Sequence, residues 1–450
     1  MGKQSGGKTS NYQVEIDTFK RNFSAFQDRN IVLYGIGRYT ATLVPAIKEF
    51  HIIGLMDRDA GNIGKQMYGI PIISAKEAEE KADVIIINTA ETYWETIYKR
   101  ISGIKVPVYF LNGENAAVRD KDGRFEQNPY WQRSMDELRR RIAQYEVISF
   151  DLFDTLIMRK VFMPQDVFKL VEKRISSRMG LELDFYRMRQ EAGQAGDSCH
   201  VLLDDIYARM NLTWGLQEPV LESVKQIEIE TETECCVPRE DMVELFNETL
   251  ESKPVYLLSD MYLTSEIIDQ ILRKCGLKKP QELWISGEKK KSKKDGELWE
   301  HFSRDILMGR KALHIGDNRI SDMEIPQRYG IDTYYVMSGA CMWEKSSLGD
   351  FVPNIQSLEQ SVFAGLLGVK MFNSPFALCE SKGLAQFSDF RLLGYCLWGG
   401  IMYSFLTWMV KEAKARKINR LIFFARDGYL IKDQYDYLRK LQYNSGGGVA

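Results

Sequence analysis

Asp151, Asp154, Ser259, Lys293, Asp317 and Asp322 are the side chains in this sequence whose types and spacing could carry chemistry. Three short apolar runs lead into most of them: Val147 to Phe150 before Asp151, Val255 to Leu258 before Ser259, and the run through Leu313 and Ile315 before Asp317. Runs of about four to eight apolar, β-branched or aromatic residues read as buried strands. Polar groups at the carboxyl ends of such strands sit where open α/β sheets bind ligands and do chemistry. Asp151 supplies a carboxylate that is ionised at neutral pH and can attack phosphorus. Ser259 offers a hydroxyl and neighbouring amides to phosphoryl oxygens, and Lys293, on a loop entering a helix, offers one ammonium against transition-state charge. Asp151, Asp317 and Asp322 are hard oxygen ligands of the kind that suit Mg²⁺. The combination points to phosphoryl transfer through an aspartate.

The elements that must position these groups follow from the hydrophobic pattern. Ile31 to Tyr34, His51 to Met56, Ala82 to Asn88 and Val106 to Phe110 are predicted strands of a front α/β domain. Gly35 and Gly37 follow the first of them, and Asp57 ends the second, about twenty residues past the glycines. In such a Rossmann-like order the first glycine permits a tight turn and the second lets backbone approach a pyrophosphate. The acid then accepts from ribose hydroxyls. The third glycine of the fingerprint is Thr40 here, and a Rossmann-like domain without a bound dinucleotide is the equal alternative. Met135 to Tyr145 is a predicted surface helix. The insert between Thr155 and Pro254 has helical periodicity and no strand signals, which predicts a helical cap over the site.

These stretches resemble the four signatures of the haloacid dehalogenase-like (HAD) hydrolase superfamily. Phe150-Asp151-Leu152-Phe153-Asp154-Thr155-Leu156 with Arg159, Ser259 to Leu263, Gly316 to Asp322 and Phe424 to Tyr429 are similar to one bacterial subgroup, linked to surface-polysaccharide synthesis. Ile53 to Asp57 with Gly69 to Ile72 looks like the small Rossmann-like domains at the front of bacterial sugar acetyltransferases, which hold nucleotide-sugars.

The resemblance implies an α/β fold: a HAD-like Rossmannoid parallel sheet with a helical cap, a smaller Rossmann-like domain in front and a partial α/β tail behind. In residues, it implies a disordered or helical tail at 1–28, the Rossmann-like domain at 29–118 and a linker helix at 119–145. The hydrolase domain follows at 146–340 with its cap at about 160–253, then the partial region at 341–450. The activity implied is a Mg²⁺-dependent phosphatase or phosphotransferase forming an aspartyl-phosphate. Its substrate would be a sugar phosphate or nucleotide-linked phosphate, its setting polysaccharide biosynthesis and its partner a glycosyltransferase. The Phe153 backbone carbonyl would join Asp151, Asp317 and Asp322 around the metal. Lys293 is preferred to Lys294 for its distance to Trp299. A nucleotide or nucleotide-sugar would lie at Gly35, Gly37 and Asp57.

One departure stands out. The resemblance implies an acid/base aspartate two residues after the nucleophile, and that residue is Phe153. Asp154 lies one further on, where an extended loop would turn its side chain elsewhere; losing a general acid costs ~10²–10⁴ in rate. Two other readings therefore stand: a non-catalytic nucleotide-sugar or phosphate-binding module in glycan assembly, and a metal-free dehalogenase, since dehalogenases of the superfamily also carry an aromatic here.

Composition limits the remaining classes. A net charge of -2 over 450 residues argues against nucleic acid as a partner. Seven cysteines without a Cys-x-x-Cys indicate a reducing cytoplasm, and four histidines, none in ligand spacing, argue against zinc. Gly2, Gly7, Lys8 and Thr9 match a phosphate-loop pattern, but no strand precedes them to aim it. Leu392 to Val410 has no charged residue and approaches a membrane-spanning length. Its glycines and hydroxyl residues predict a buried helix instead, with no stable membrane span. Leu421 to Phe424 is a predicted strand leading into Ala425-Arg426-Asp427-Gly428 and a helix. This partial sheet either packs on the central domain or continues beyond the chain.

Overall fold

The computed structural model describes residues 11–444 except 91–92, 118–124 and 195–199. The phosphate-loop-like run at Gly2 to Thr9, the first part of the expected linker and the glycines 446–448 lie outside the described residues. By compactness the chain forms two units, Met1–Ile175 with Glu182–Ala385, and Ser176–Leu181 with Gln386–Ala450.

The first unit holds two parallel sheets. In the front sheet the order is Ile52–Met56, Ile31–Tyr34, Val84–Ile87, Val108–Phe110, all parallel. Ile31–Tyr34 and Val84–Ile87 are buried along their whole length, which is why they read as unbroken apolar runs rather than alternating ones. The segment expected as a tail contributes to this core. It forms the helix Asn11–Phe23, and Phe19 and Phe23 pack inside the front domain.

The central sheet has the order Glu282–Ile285, Val255–Ser259, Val147–Phe150, Ala312–Gly316, Asp332–Tyr335, again all parallel. Strand order reverses beside Val147–Phe150, so its carboxyl end opens into the crevice where such sheets take ligands. Register fixes what meets there. Phe150 lies opposite Leu257 on one side and Ile315 on the other, so Asp151, Ser259 and Gly316 emerge together.

The insert after the first central strand contains the helices Asp166–Met179, Phe185–Gln194, Leu203–Trp214 and Val220–Cys235. It is not wholly helical. Cys236–Pro238 pairs antiparallel with Ile157–Arg159, a strand too short to leave a period in the sequence. Arg239 follows it, fully buried, donating through Nη1 to the carbonyls of Asp154 (2.6 Å) and Met337 (2.8 Å) and through Nε to that of Asn373 (2.9 Å). One guanidinium thus ties the loop after the first central strand to the segment behind the sheet. The six described cysteines are free.

The second unit departs from expectation. Leu421 to Phe424 forms no strand, and Ile422 and Phe424 are 81% and 80% exposed. A strand needs a hydrogen-bonding neighbour, and the described residues of this unit offer none. Without that sheet, the helical stretch Phe390–Ala415 is not the buried helix expected from its sequence. Only 11% of its most apolar window is buried, and it is long and apolar enough to cross a membrane by length and composition. The helix Gly428–Asn444 follows.

Candidate active site

Asp151 ends the central strand, its N–H donating to the Ile315 carbonyl at 2.9 Å. That bond carries the sheet ladder one residue past the strand and fixes the loop at its first turn. The Lys293 ammonium donates to Asp151 Oδ1 and, at 2.7 Å, to Asp322 Oδ1. Asp322 Oδ2 accepts from the Asn318 N–H at 3.0 Å. Asp317, at the end of the neighbouring strand, completes a group of three carboxylates whose oxygens lie within 4.8 Å of one another. Asp151, Lys293 and Asp322 are 6%, 3% and 1% exposed. Ser259 closes the adjacent strand and is buried beside them.

The electrostatics follow from burial of several like charges around one ammonium. Burial pushes the Asp151 carboxyl up to about 7 despite Lys293, and Asp322 adds to the rise. Burial also lifts Asp317 well above the usual carboxylate range, with Asp154, Asp151 and Asp322 adding their repulsion. Asp322 goes the other way: burial opposes ionisation, but Lys293 and His314 outweigh it and hold the carboxyl below its ordinary value. Lys293 is held above its usual range because Asp151, Asp322 and Asp260 together overcome the cost of burial.

Sequence reasoning missed the groups that hold this arrangement in place. Asp260 accepts from the backbone N–H of Lys293 at 2.8 Å and of Lys294 at 3.2 Å, which aims the lysine loop inward. His314 lies 2.9 Å from Ser149 Oγ and 3.4 Å from Asp322 Oδ1, and burial lowers its pKa against the pull of Asp322. Trp299 packs edge-on against the His314 ring and donates to the Ser321 carbonyl at 3.0 Å. A Cβ on Gly316 would stand 2.6 Å from Asp322 Cγ and Oδ2, so the carboxylate occupies the space that only glycine leaves. Both Asp260 and Gly316 sit inside stretches that were read for other residues, and their roles depend on register.

Asp154 requires a correction. Its backbone is not extended but left-handed, with φ of +62°, so strand alternation does not govern where its side chain points. Its N–H donates to the Ile157 carbonyl at 2.7 Å. Its carboxylate is the strongest charged neighbour of Asp317, and burial raises its own pKa against the pull of Arg159 and Arg239. The Phe153 ring instead lies beneath the Arg159 guanidinium, 4.1 Å from Cζ to the ring centre, and Arg159 pairs with Glu232 of the insert at 2.7 Å.

The front-domain residues stand differently. Gly35 has φ of +119° and a Cβ there would meet Thr89 Cγ2 at 2.8 Å, so the turn demands glycine. A Cβ on Gly37 would meet nothing within 4 Å among the described residues. Thr40 donates to the Gly35 carbonyl at 2.6 Å and accepts from Asn88 at 3.1 Å, bracing the helix where the third fingerprint glycine would stand. Asp57 Oδ2 already accepts from Asn62 at 2.5 Å.

No family model and no curated protein matches the chain. Among solved structures it is similar to the magnesium-bound HAD-hydrolase YfnB from Bacillus subtilis, at 17% identity over 43% of this chain and 88% of that one, with a TM-score of 0.32. It is also similar to the HAD family enzyme bt-2542 from Bacteroides thetaiotaomicron, at 15% identity over 43% and 95% of the two chains, with a TM-score of 0.32. A third is the L-2-haloacid dehalogenase from Xanthobacter autotrophicus with chloropropionic acid covalently bound, at 15% identity, 49% and 87% coverage and a TM-score of 0.32. All three are HAD-family or haloacid dehalogenase hydrolases.

Proposed function

We propose that the chain is a Mg²⁺-dependent, HAD-type phosphohydrolase acting through an aspartyl-phosphate on a sugar phosphate or nucleotide-linked phosphate. The observation that carries this reading is the Lys293 ammonium held between Asp151 and Asp322 at the mouth of the central sheet, with Asp317 alongside. Two buried carboxylates and the half-buried Asp317 gathered around one lysine form a hard-oxygen, negatively charged pocket that fits a small divalent cation. Asp151, Asp317 and Asp322, with the Phe153 carbonyl, would hold it, and when bound it would offset phosphate charge and polarise a phosphoryl oxygen.

The residues then divide the work. An Asp151 carboxylate oxygen attacks phosphorus, the bond from phosphorus to the leaving oxygen breaks, and that oxygen leaves as the alcohol once it gains a proton. Asp154, raised by burial, is the donor we assign to that proton. Water then attacks the aspartyl-phosphate, giving back the carboxylate and releasing inorganic phosphate. Ser259 and the amides beside it receive the phosphoryl oxygens, and Lys293 balances their charge. A cytoplasmic setting in polysaccharide assembly beside a glycosyltransferase rests on the motif resemblance and, for the compartment, on the free cysteines.

Phe153 favours a second reading, a phosphate- or nucleotide-sugar-binding module without turnover, because it fills the position from which an acid would act. A phosphomonoester panel with Mg²⁺ separates the two, together with capture of beryllofluoride on Asp151. Turnover that disappears in Asp151→Asn supports the hydrolase. Binding without turnover, or activity intact in Asp151→Asn, removes it.

A further inference from the structure

We propose that the front domain is the substrate-selecting wall of the central site, its Tyr39 ring receiving the alcohol portion of a phosphorylated sugar or nucleotide. This inference rests on the phosphohydrolase reading above and assigns the part that the reading leaves open.

Two segments that follow strands of the front sheet reach the central domain or its insert. The first carries Tyr39, whose ring lies 5.6 Å from Lys294 Nζ, the residue next to the Asp151-bound lysine. The second carries Arg58 and Asp59, which pair with Asp166 and Lys169 of the insert. Behind these loops the front domain is fixed to the segment after the central sheet. Thr96 bonds Glu344 at 3.0 Å, and Arg100 donates to the Pro353 carbonyl at 2.8 Å.

Crevices at the strand ends of open α/β sheets are where ligands bind. Here Tyr39 of the front domain lies beside Lys294, the neighbour in sequence of the lysine that bonds Asp151. Two further observations point to a ligand there. Arg58 has a buried Nη1 with no hydrogen-bond partner among the described residues, a desolvated donor that an oxygen-rich group would satisfy. Among the described residues, nothing lies within 4 Å of where a side chain at Gly37 would begin. Tyrosine faces suit a sugar ring or a base, and Lys294 and Arg58 suit further anionic or hydroxyl oxygens. The fingerprint glycines therefore belong to the same ligand as Asp151, and the front domain is not an independent dinucleotide site.

The test compares kcat/KM for hexose phosphates and nucleoside monophosphates with kcat/KM for acetyl phosphate, which has no ring to select, all with Mg²⁺. In Tyr39→Ala the ratio of ester to acetyl phosphate falls about tenfold or more, and in Tyr39→Phe it stays within about threefold of wild type. Lys294→Gln lowers the same ratio by a route independent of the tyrosine, and acetyl phosphate turnover reports that each variant is folded. A ratio unchanged within about twofold in Tyr39→Ala and Lys294→Gln overturns the proposal. So does wild-type turnover of acetyl phosphate alone, which leaves the Asp151 chemistry standing. No turnover of any substrate by the wild type overturns the chemistry and the shared pocket together.

Discussion

Replacing Lys293 by methionine tests the electrostatic core of the site. The substitution keeps most of the side-chain volume and removes one ammonium that bonds both Asp151 and Asp322. Those carboxylates are 6% and 1% exposed, so water cannot solvate them in its place. Removing one partner from a buried ion pair costs about 3–5 kcal/mol, because the remaining charge stays desolvated. Protonation can relieve part of that cost. Asp151 is pushed up to about 7 even with Lys293 present, and losing the lysine raises it further. A carboxyl whose folded pKa lies above its unfolded value binds a proton on folding. Its contribution to stability therefore falls as pH rises through the interval between the two values. The destabilisation should accordingly be largest above neutrality and shrink toward the unfolded carboxylate range near pH 4. Urea unfolding across that interval, in chelator and in Mg²⁺, measures it. Mg²⁺ should return a large part of the loss by supplying another positive charge. A cost below about 1 kcal/mol, or one independent of both pH and Mg²⁺, would refute the claim that Lys293 balances two buried, ionisable carboxylates.

Two other substitutions separate chemistry from support. Asp154→Asn should lower turnover of alkyl phosphates by ~10²–10⁴ while affecting acetyl phosphate much less, since only the alkyl leaving group needs a proton. Equal losses on both substrates would assign Asp154 to structure alone. Gly316→Ala should cost about 1–3 kcal/mol, because its Cβ would fall 2.6 Å from the Asp322 carboxylate and force it away from Lys293. Denaturation midpoints and kcat, measured together, check it; a fully stable and active variant would mean that Asp322 can move without consequence.

The sequence made the central strands legible because a parallel strand covered on both faces leaves an unbroken apolar run. It made Asp151, Ser259 and Asp317 legible because each ends or follows such a run. The roles of Asp260 and His314 were not legible, since both depend on which strands are neighbours. The tail failed for a related reason. Leu421 to Phe424 has strand composition, yet strand formation depends on a partner ladder that four residues cannot announce. The apolar stretch from Leu392 satisfies the composition of a buried helix and of an exposed one alike. Docking of the front domain was hidden for the same reason, because it is made by pairs such as Arg58 with Asp166 and Arg100 with Pro353, far apart in the chain.

The departure at Phe153 and Asp154 is better understood as one rearrangement than as the loss of an acid. Phe153 gives Arg159 an aromatic face, and Arg159 in turn holds Glu232, so this position links the loop after Asp151 to the helical insert. The left-handed turn at Asp154 brings a carboxylate back toward Asp317 from the next residue. Arg239 holds that turn by its carbonyl and leaves the carboxyl free of the bond. A substitution of Phe153 by aspartate would therefore do two things at once. It would place a second acid in the loop, and it would place a charge beneath a guanidinium already committed to Glu232. Such a change is expected to disturb the anchor of the insert more than it improves proton transfer, leaving the carboxyl at Asp154 as the one on which leaving-group dependence turns.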